Sequence, residues 1–333
     1  MLWQLSGVKL ALISAQIAIK LCKSHFIISL DNLAKVAVEN NLFGHIIAVF
    51  DSSIYLQITD KIICLGNKNL KNSPITIITS LPENLSFKTF KLKIGEKVSF
   101  FDRNIRIQDI TFAFDENTKI WHPAELNYPF ILDNARQGVR YFHKILQQKE
   151  LEPRGLSEIL FFKNLNDEKL NYNKKVLSEI SECKHWICQS RVQKNRACMP
   201  RPYWAENLLG LGFGLTPSGD DFIGGVMIGL HICKKVKMAQ CIWKHVYKNI
   251  SYLTTPIAGA HLYAASTGLG PGDIHKLADA ILSGNAEGMA ELVRSLDMIG
   301  QTSGWDIFAG VYVVIEALST QSSFSEMNPF LRV

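Results

Sequence analysis

The sequence predicts an α+β protein: an N-terminal antiparallel β-rich unit, barrel- or sandwich-like, followed by an all-α helical region. Three observations carry this. Residues 43 to 115 fall into short β-branched and aromatic runs about ten residues apart, separated by turn residues. After Pro129 the apolar period lengthens to three or four residues. From residue 219 onward nearly every segment has a helical pattern, and two segments are apolar around most of their circumference, as helices inside a core are. With 333 residues, 47% of them hydrophobic, the chain can bury the cores that two such domains need.

In chain order, "LALISAQIAI" at 10 to 19 is about half the length of a membrane span and reads as an N-terminal helix. The expected strands are "GHIIAVF", "SIYLQIT", "KIICLG", "PITIIT", "FKLKIG", "KVSFF" and "IRIQDITFAF". In "DNARQGVRYFHKILQQKE" the residues Val139, Phe142 and Leu146 share one helical face, and "LSEILFFKNL" and "KKVLSEISECKHWI" continue the pattern. Further helices are expected at 219–237, 255–266, 273–282, 286–299 and 304–319, with Gly268, Gly284 and Gly300 placed to end three of them. The change of period sets the boundary, giving domains of residues 1–128 and 129–333.

Charge and cysteine usage narrow the partners. Of the net charge of +6, residues 1–200 carry +8 (27 Lys and Arg against 19 Asp and Glu), and residues 201–333 carry −2 (9 against 11). No basic stripe with interleaved aromatics gathers that excess, so neither nucleic acid nor membrane is an expected partner. Seven cysteines without framework spacing suit a reducing, cytoplasmic compartment. The cluster Cys183, His185, Cys188 and Cys198 has irregular spacing for zinc and reads as buried thiols, so no metal ligand set is assigned.

The chemistry-bearing segment is "GLGFGLTPSGDDFIGG", Gly210 to Gly225, and part of it recurs. "SGDDFIGG" from Ser218 and "SGWDIFAG" from Ser303 share Ser-Gly-x-Asp, two bulky apolar residues, a small residue and glycine, 85 positions apart. Serine followed three residues later by an acid is a capping-box pattern, which accounts for Ser218 with Asp221 and Ser303 with Asp306. Glycine inside a helix costs about 1 kcal/mol against alanine, so Gly224, Gly225, Gly229 and Gly310 imply close helix contact. We therefore expect the two helices side by side, related by an approximate two-fold, with adjacent N-termini. Such paired termini suit phosphate or carboxylate, and Gly212 and Gly214 let backbone approach a ligand.

Capping leaves Asp220 unexplained, since its counterpart in the second copy is Trp305. It is the candidate catalytic residue, as a general base, an acceptor for a substrate amide, or a Mg2+ ligand beside a phosphate. The plain alternative is a solvated acid at a helix start. The candidate ligand-binding set is Gly212, Gly214, Thr216, Pro217, Ser218, Gly219, Asp221, Ser303, Gly304, Asp306 and His261. Mg2+ is admitted as a cofactor, whereas no P-loop lysine or surrounding βαβ unit points to a nucleotide.

These residues resemble the signature of a bacterial family long catalogued as a domain of unknown function. "GLGFGLTPSGDDFIGG" is similar to its central motif, "TSGWDIFAG" to its second, and "GHIIAVFDSSIYLQ" to its early strand region, so the resemblance spans about residues 44 to 318. Phe213 and Gln301 depart from the expected proline and histidine. One branch of the family is a subunit of oxamate carbamoyltransferase. The resemblance implies carbamoyl transfer between oxalurate and phosphate, giving oxamate and carbamoyl phosphate, by several subunits together. The expectation is a subunit of such a complex that binds a small anionic ligand. Its competitors are a non-catalytic assembly or regulatory subunit and a nucleotide-dependent small-molecule enzyme.

Overall fold

The computed structural model describes residues 24–39, 41–126, 130–147, 152–162, 170–192 and 199–320. The helix expected at 10–19 and Cys198 lie outside the described residues. The chain forms two compact units, Met1–His122 and Pro123–Val333.

The first unit is a closed barrel. Its elements are β1 (Ser24–Asp31), α1 (Asn32–Glu39), β2 (Phe43–Val49), β3 (Ser53–Ile58), β4 (Lys61–Gly66), β5 (Thr76–Thr79), β6 (Lys97–Phe101), β7 (Asn104–Ile107), β8 (Ile110–Ala113) and β9 (Lys119–Trp121). The strand order is β5-β4-β3-β2-β6-β7-β8-β1-β9, and a β1–β5 pairing closes eight strands into a ring. Closure removes the exposed edges that an open sheet must protect. Most pairings are antiparallel, but β4–β5, β1–β8 and β1–β9 are parallel. Ile27, Ile54, Leu56, Leu65, Ile77 and Phe112 fill the interior.

Two expected strands differ from the observed ones. "FKLKIG" is a turn: Phe87–Phe90 forms a 3-10 helix capped by Ser86, whose Oγ accepts the Lys88 N–H, and ended by Lys91 at φ 56°. "IRIQDITFAF" is a hairpin, β7 and β8, because Gln108 adopts φ 55° between them. Strand β1 was not expected. Its partners lie 47 or more residues away in sequence (Leu30 with Ile77 at the near end), and no local period reveals such pairing.

The second unit is helical. It contains α2 (Leu132–Leu146), α3 (Leu156–Phe162), α4 (Leu170–Val192), α5 (Tyr203–Leu208), α6 (Ser218–Ile232), α7 (Val236–Val246), α8 (Ile250–Leu253), α9 (Pro256–Ser266), α10 (Gly272–Ser283), α11 (Met289–Ser295) and α12 (Ser303–Ser319). The helix expected over 219–237 is two helices. Lys234 takes φ 57°, and the Lys235 N–H turns back to the Leu230 carbonyl, which ends α6. Gly268, Gly284 and Gly300 all have positive φ at helix ends, as expected. At the centre lie α6 and α12, whose Phe222, Val226, Phe308 and Val311 are wholly buried.

Candidate functional site

Helices α6 and α12 run parallel and touch through glycine. A Cβ on Gly225 would stand 1.9 Å from the Ile307 carbonyl oxygen, one on Gly310 2.2 Å from that of Phe222, and one on Gly229 3.1 Å from Val311 Cα. Under the 85-residue offset Gly225 matches Gly310 and Phe222 matches Ile307, so the contacts are reciprocal. That is a pseudo-two-fold axis running between the helices.

The relation extends into the preceding turns. Gly219 donates to the Leu211 carbonyl at 2.8 Å, and Gly304 to that of Ile299 at 2.8 Å. Gly219 presses on the Leu208 carbonyl as Gly304 presses on that of Leu296. The difference is length: six residues separate Leu211 from Ser218, and three separate Ile299 from Ser303. The extra residues place Phe213, Gly214 and Leu215 at an exposed tip, with Phe213 wholly in solvent.

The capping boxes do not form. Pro217 is the N-cap of α6 (φ −54°, ψ 143°) and Thr302 that of α12, neither with a side-chain cap bond. The helix begins one residue before a serine cap would start it, because the Pro217 carbonyl already accepts from Asp220 and Asp221. The two serines are therefore first-turn residues, and their hydroxyls act across the axis. The Ser218 hydroxyl favours the charged form of Asp306, and that of Ser303 favours the charged form of Asp221. The Thr216 and Ser303 hydroxyls meet at 3.0 Å, so the two motifs share one locus.

Asp220 is buried and has both oxygens engaged. Oδ1 accepts the Gly210 N–H at 2.7 Å, and Oδ2 accepts the Thr254 hydroxyl. Burial raises its pKa, and these two bonds oppose the rise. Together with the Gly219 to Leu211 bond, this closes the base of the 211–219 loop. Gly210, Gly212 and Gly214 have φ of 74°, 125° and 94°, and a Cβ on Gly210 would lie 2.0 Å from the Leu253 carbonyl oxygen. The Thr255 hydroxyl donates to the Leu215 carbonyl and steadies the outer arm.

Asp221 and Asp306, rather than Asp220, are the strained acids. Burial pushes Asp221 well above the usual carboxylate range, and the charges of Asp306 and then Asp220 add to it. Burial also raises Asp306, to about 6, against the Leu156 N–H and the hydroxyls of Ser218 and Thr302. On each residue Oδ2 is buried without a hydrogen-bond partner.

The structure adds residues that the sequence did not single out. The Leu156 N–H donates to Asp306 Oδ1 at 2.6 Å, and Ser157 Oγ donates to the Trp305 carbonyl at 2.6 Å. Gly155, at φ 60°, lies where any Cβ would overlap Asp306. The Pro153-x-Gly155 punctuation before α3 was the available signal. Trp305, the counterpart of Asp220, donates its Nε1 to Asp297 at 2.8 Å. His261 sits on α9 with its pKa lowered to about 4 by burial, and no described hydrogen bond joins it to the motif. The barrel unit has a cavity of about 500 Å³, lined by Lys35, Asn41, Phe100, Arg103 and Asp115 among others.

Residues 208–315, which include α6, both loops and all but the last turn of α12, match the family model described as oxamate carbamoyltransferase subunit AllH. Residues 18–119 match the AllH family N-terminal domain. The chain belongs to the AllH family. Membership covers the barrel and the motif-bearing helices alike. Comparison with curated proteins and with solved structures gives no match. Among the described residues no helix is long and apolar enough to cross a membrane.

Proposed function

We propose that this AllH-family chain is a cytoplasmic subunit of an oxamate carbamoyltransferase-type complex, and that it binds a small anion at the paired N-termini of α6 and α12. Carbamoyl phosphate, phosphate and oxamate are the candidate ligands. The observation that carries this is the convergence of two helix N-termini with the Thr216, Ser218, Thr302 and Ser303 hydroxyls at one locus. The positive dipole ends of the two helices favour negative charge there. Hydroxyls and loop amides are also the groups that stabilise an oxyanion during acyl transfer. Asp220 acts by positioning: it holds Gly210 and Thr254, and through them the shape of the glycine loop.

A thermal-shift series with phosphate, carbamoyl phosphate, oxamate and ATP tests this. A ligand at 100 times its Kd stabilises the folded state by about 2.7 kcal/mol, so the first three should raise the unfolding temperature and ATP should add nothing beyond its phosphates. Thr216→Val should abolish the shift. A flat response to every anion would remove the ligand-binding reading.

The assembly reading has its own support. Phe213 is wholly exposed, Tyr252 is 85% exposed, and Leu253, whose carbonyl abuts Gly210, is 51% exposed. Apolar side chains displayed beside the loop suit contact with another subunit. Phe213→Ser would then weaken complex formation and leave ligand shifts of the isolated chain unchanged.

A further inference from the structure

We propose that Asp221 and Asp306 form a divalent-cation site on the pseudo-two-fold axis between α6 and α12, suited to Mg2+ or Mn2+. The site would be oxygen-only: one carboxylate from each helix, with the Thr216, Ser218, Thr302 and Ser303 hydroxyls around them. Oxygen donors without nitrogen or sulfur select hard cations, and Mg2+ characteristically takes one or two protein carboxylates and keeps its other positions for water or ligand.

Two independent observations point to it. The first is charge. Among the described residues, no lysine, arginine or histidine figures among the groups that shift either acid, while each helix N-terminus contributes only about half a positive charge. Ionising both carboxylates without a cation would leave roughly one negative charge uncompensated, before that of Asp220 is counted, and buried uncompensated charge is costly.

The second is unspent bonding capacity. Asp221 is 6% exposed and Asp306 0%, and on both residues Oδ2 is buried without a hydrogen-bond partner. Asp220 beside them has both oxygens satisfied. Among the three acids of this locus, the remaining coordination therefore belongs to the symmetry-related pair. Asp306 is also held in place, by the Leu156 N–H on Oδ1 and by Gly155, whose missing Cβ makes room for the carboxylate. Such outer contacts orient ligands in built metal sites. A cation here would also supply the positive charge that an anionic ligand needs beside two acids.

The test is a Mn2+ titration of the chelator-treated full-length chain, with free Mn2+ read by electron paramagnetic resonance. It reads binding rather than turnover, so its outcome is separate from that of the transferase reading. The expected result is one saturable Mn2+ site per chain, displaced by Mg2+. Asp221→Asn and Asp306→Asn should each weaken it by at least about tenfold. Asp133→Asn, which alters an acid 89% exposed on α2, should leave it unchanged. Circular dichroism checks the fold of each variant. Ser303→Ala keeps both carboxylates and gives a milder variant of the same site. No saturable binding by the wild type overturns the proposal, and so does unchanged affinity in whichever of the three site variants folds.

Discussion

Two adjacent glycines in α6 should respond to the same substitution with opposite sign. At Gly224 a new Cβ would meet Ala265 Cβ at 3.6 Å and Leu262 Cδ2 at 4.0 Å, ordinary van der Waals contact. Gly224→Ala should therefore yield the helix-propensity gain of about 0.5–1 kcal/mol with little strain. At Gly225 the same Cβ would lie 1.9 Å from the Ile307 carbonyl oxygen and 2.8 Å from its carbon, against about 3.4 Å for ordinary contact. The obstacle is backbone, so α6 and α12 must part by an ångström or more. Overpacking costs about 1–3 kcal/mol, and a backbone clash belongs at the upper end. After the propensity gain, Gly225→Ala should be destabilised by about 2 kcal/mol. Urea unfolding followed by tryptophan fluorescence reports on this unit, which contains Trp186, Trp204, Trp243 and Trp305. If the two variants shift the midpoint in the same direction, the close parallel packing of α6 and α12 is wrong.

Other substitutions probe the surroundings. Gly155→Ala places a Cβ 2.3 Å from Asp306 Oδ1 at φ 60°, and should cost about 1–3 kcal/mol in the same unfolding assay. Asp220→Ala leaves the Gly210 N–H and the Thr254 hydroxyl without their acceptor, a loss of about 1–3 kcal/mol, and limited proteolysis should then cut faster within Gly212–Leu215. His275 is buried with its pKa lowered to about 4, and its Nε2 has no hydrogen-bond partner. Its folded value lies below the unfolded value of about 6.5, so the unfolded chain binds the extra proton between those limits. The His275 contribution to stability should rise with pH across that window and level off above it, by up to about 3 kcal/mol, while the raised acids Asp221 and Asp306 contribute with the opposite sign. His275→Gln should flatten that part of the profile, and an unchanged slope between pH 4 and 6.5 would tell against it.

Much of the fold was legible because the signals were local. Alternating strands with turn residues marked most of the barrel, and all-round apolarity marked α6 and α12 as central. What escaped depended on distant partners: β1 has no local counterpart, and barrel closure is a property of the β1–β5 pair. The repeat of Ser-Gly-x-Asp correctly signalled that two helix starts meet. Its local interpretation failed, because a capping box and a cross-axis exchange of serines and aspartates have the same spacing in sequence. Position 220 stood out through asymmetry between the copies, whereas the orphaned oxygens of Asp221 and Asp306 were hidden behind a spacing that capping seemed to explain. Gly155 showed only as turn punctuation beside Pro153, and nothing local ties it to Asp306, which the Leu156 N–H reaches from 150 residues away.

The reciprocal contact of Gly225 with Ile307 and of Gly310 with Phe222 is the geometry of a homodimer interface whose two halves lie in one polypeptide. In a true homodimer every mutation is written twice, so both sides of the axis must accept the same residue. Covalent joining lifts that restriction. One half has an acid at position 220 and a long glycine loop, while the other has Trp305 and a short turn, and the aspartates nearest the axis are the same in both. The inherited symmetry would thus account for a paired centre, and its breaking for a single, one-sided approach to it.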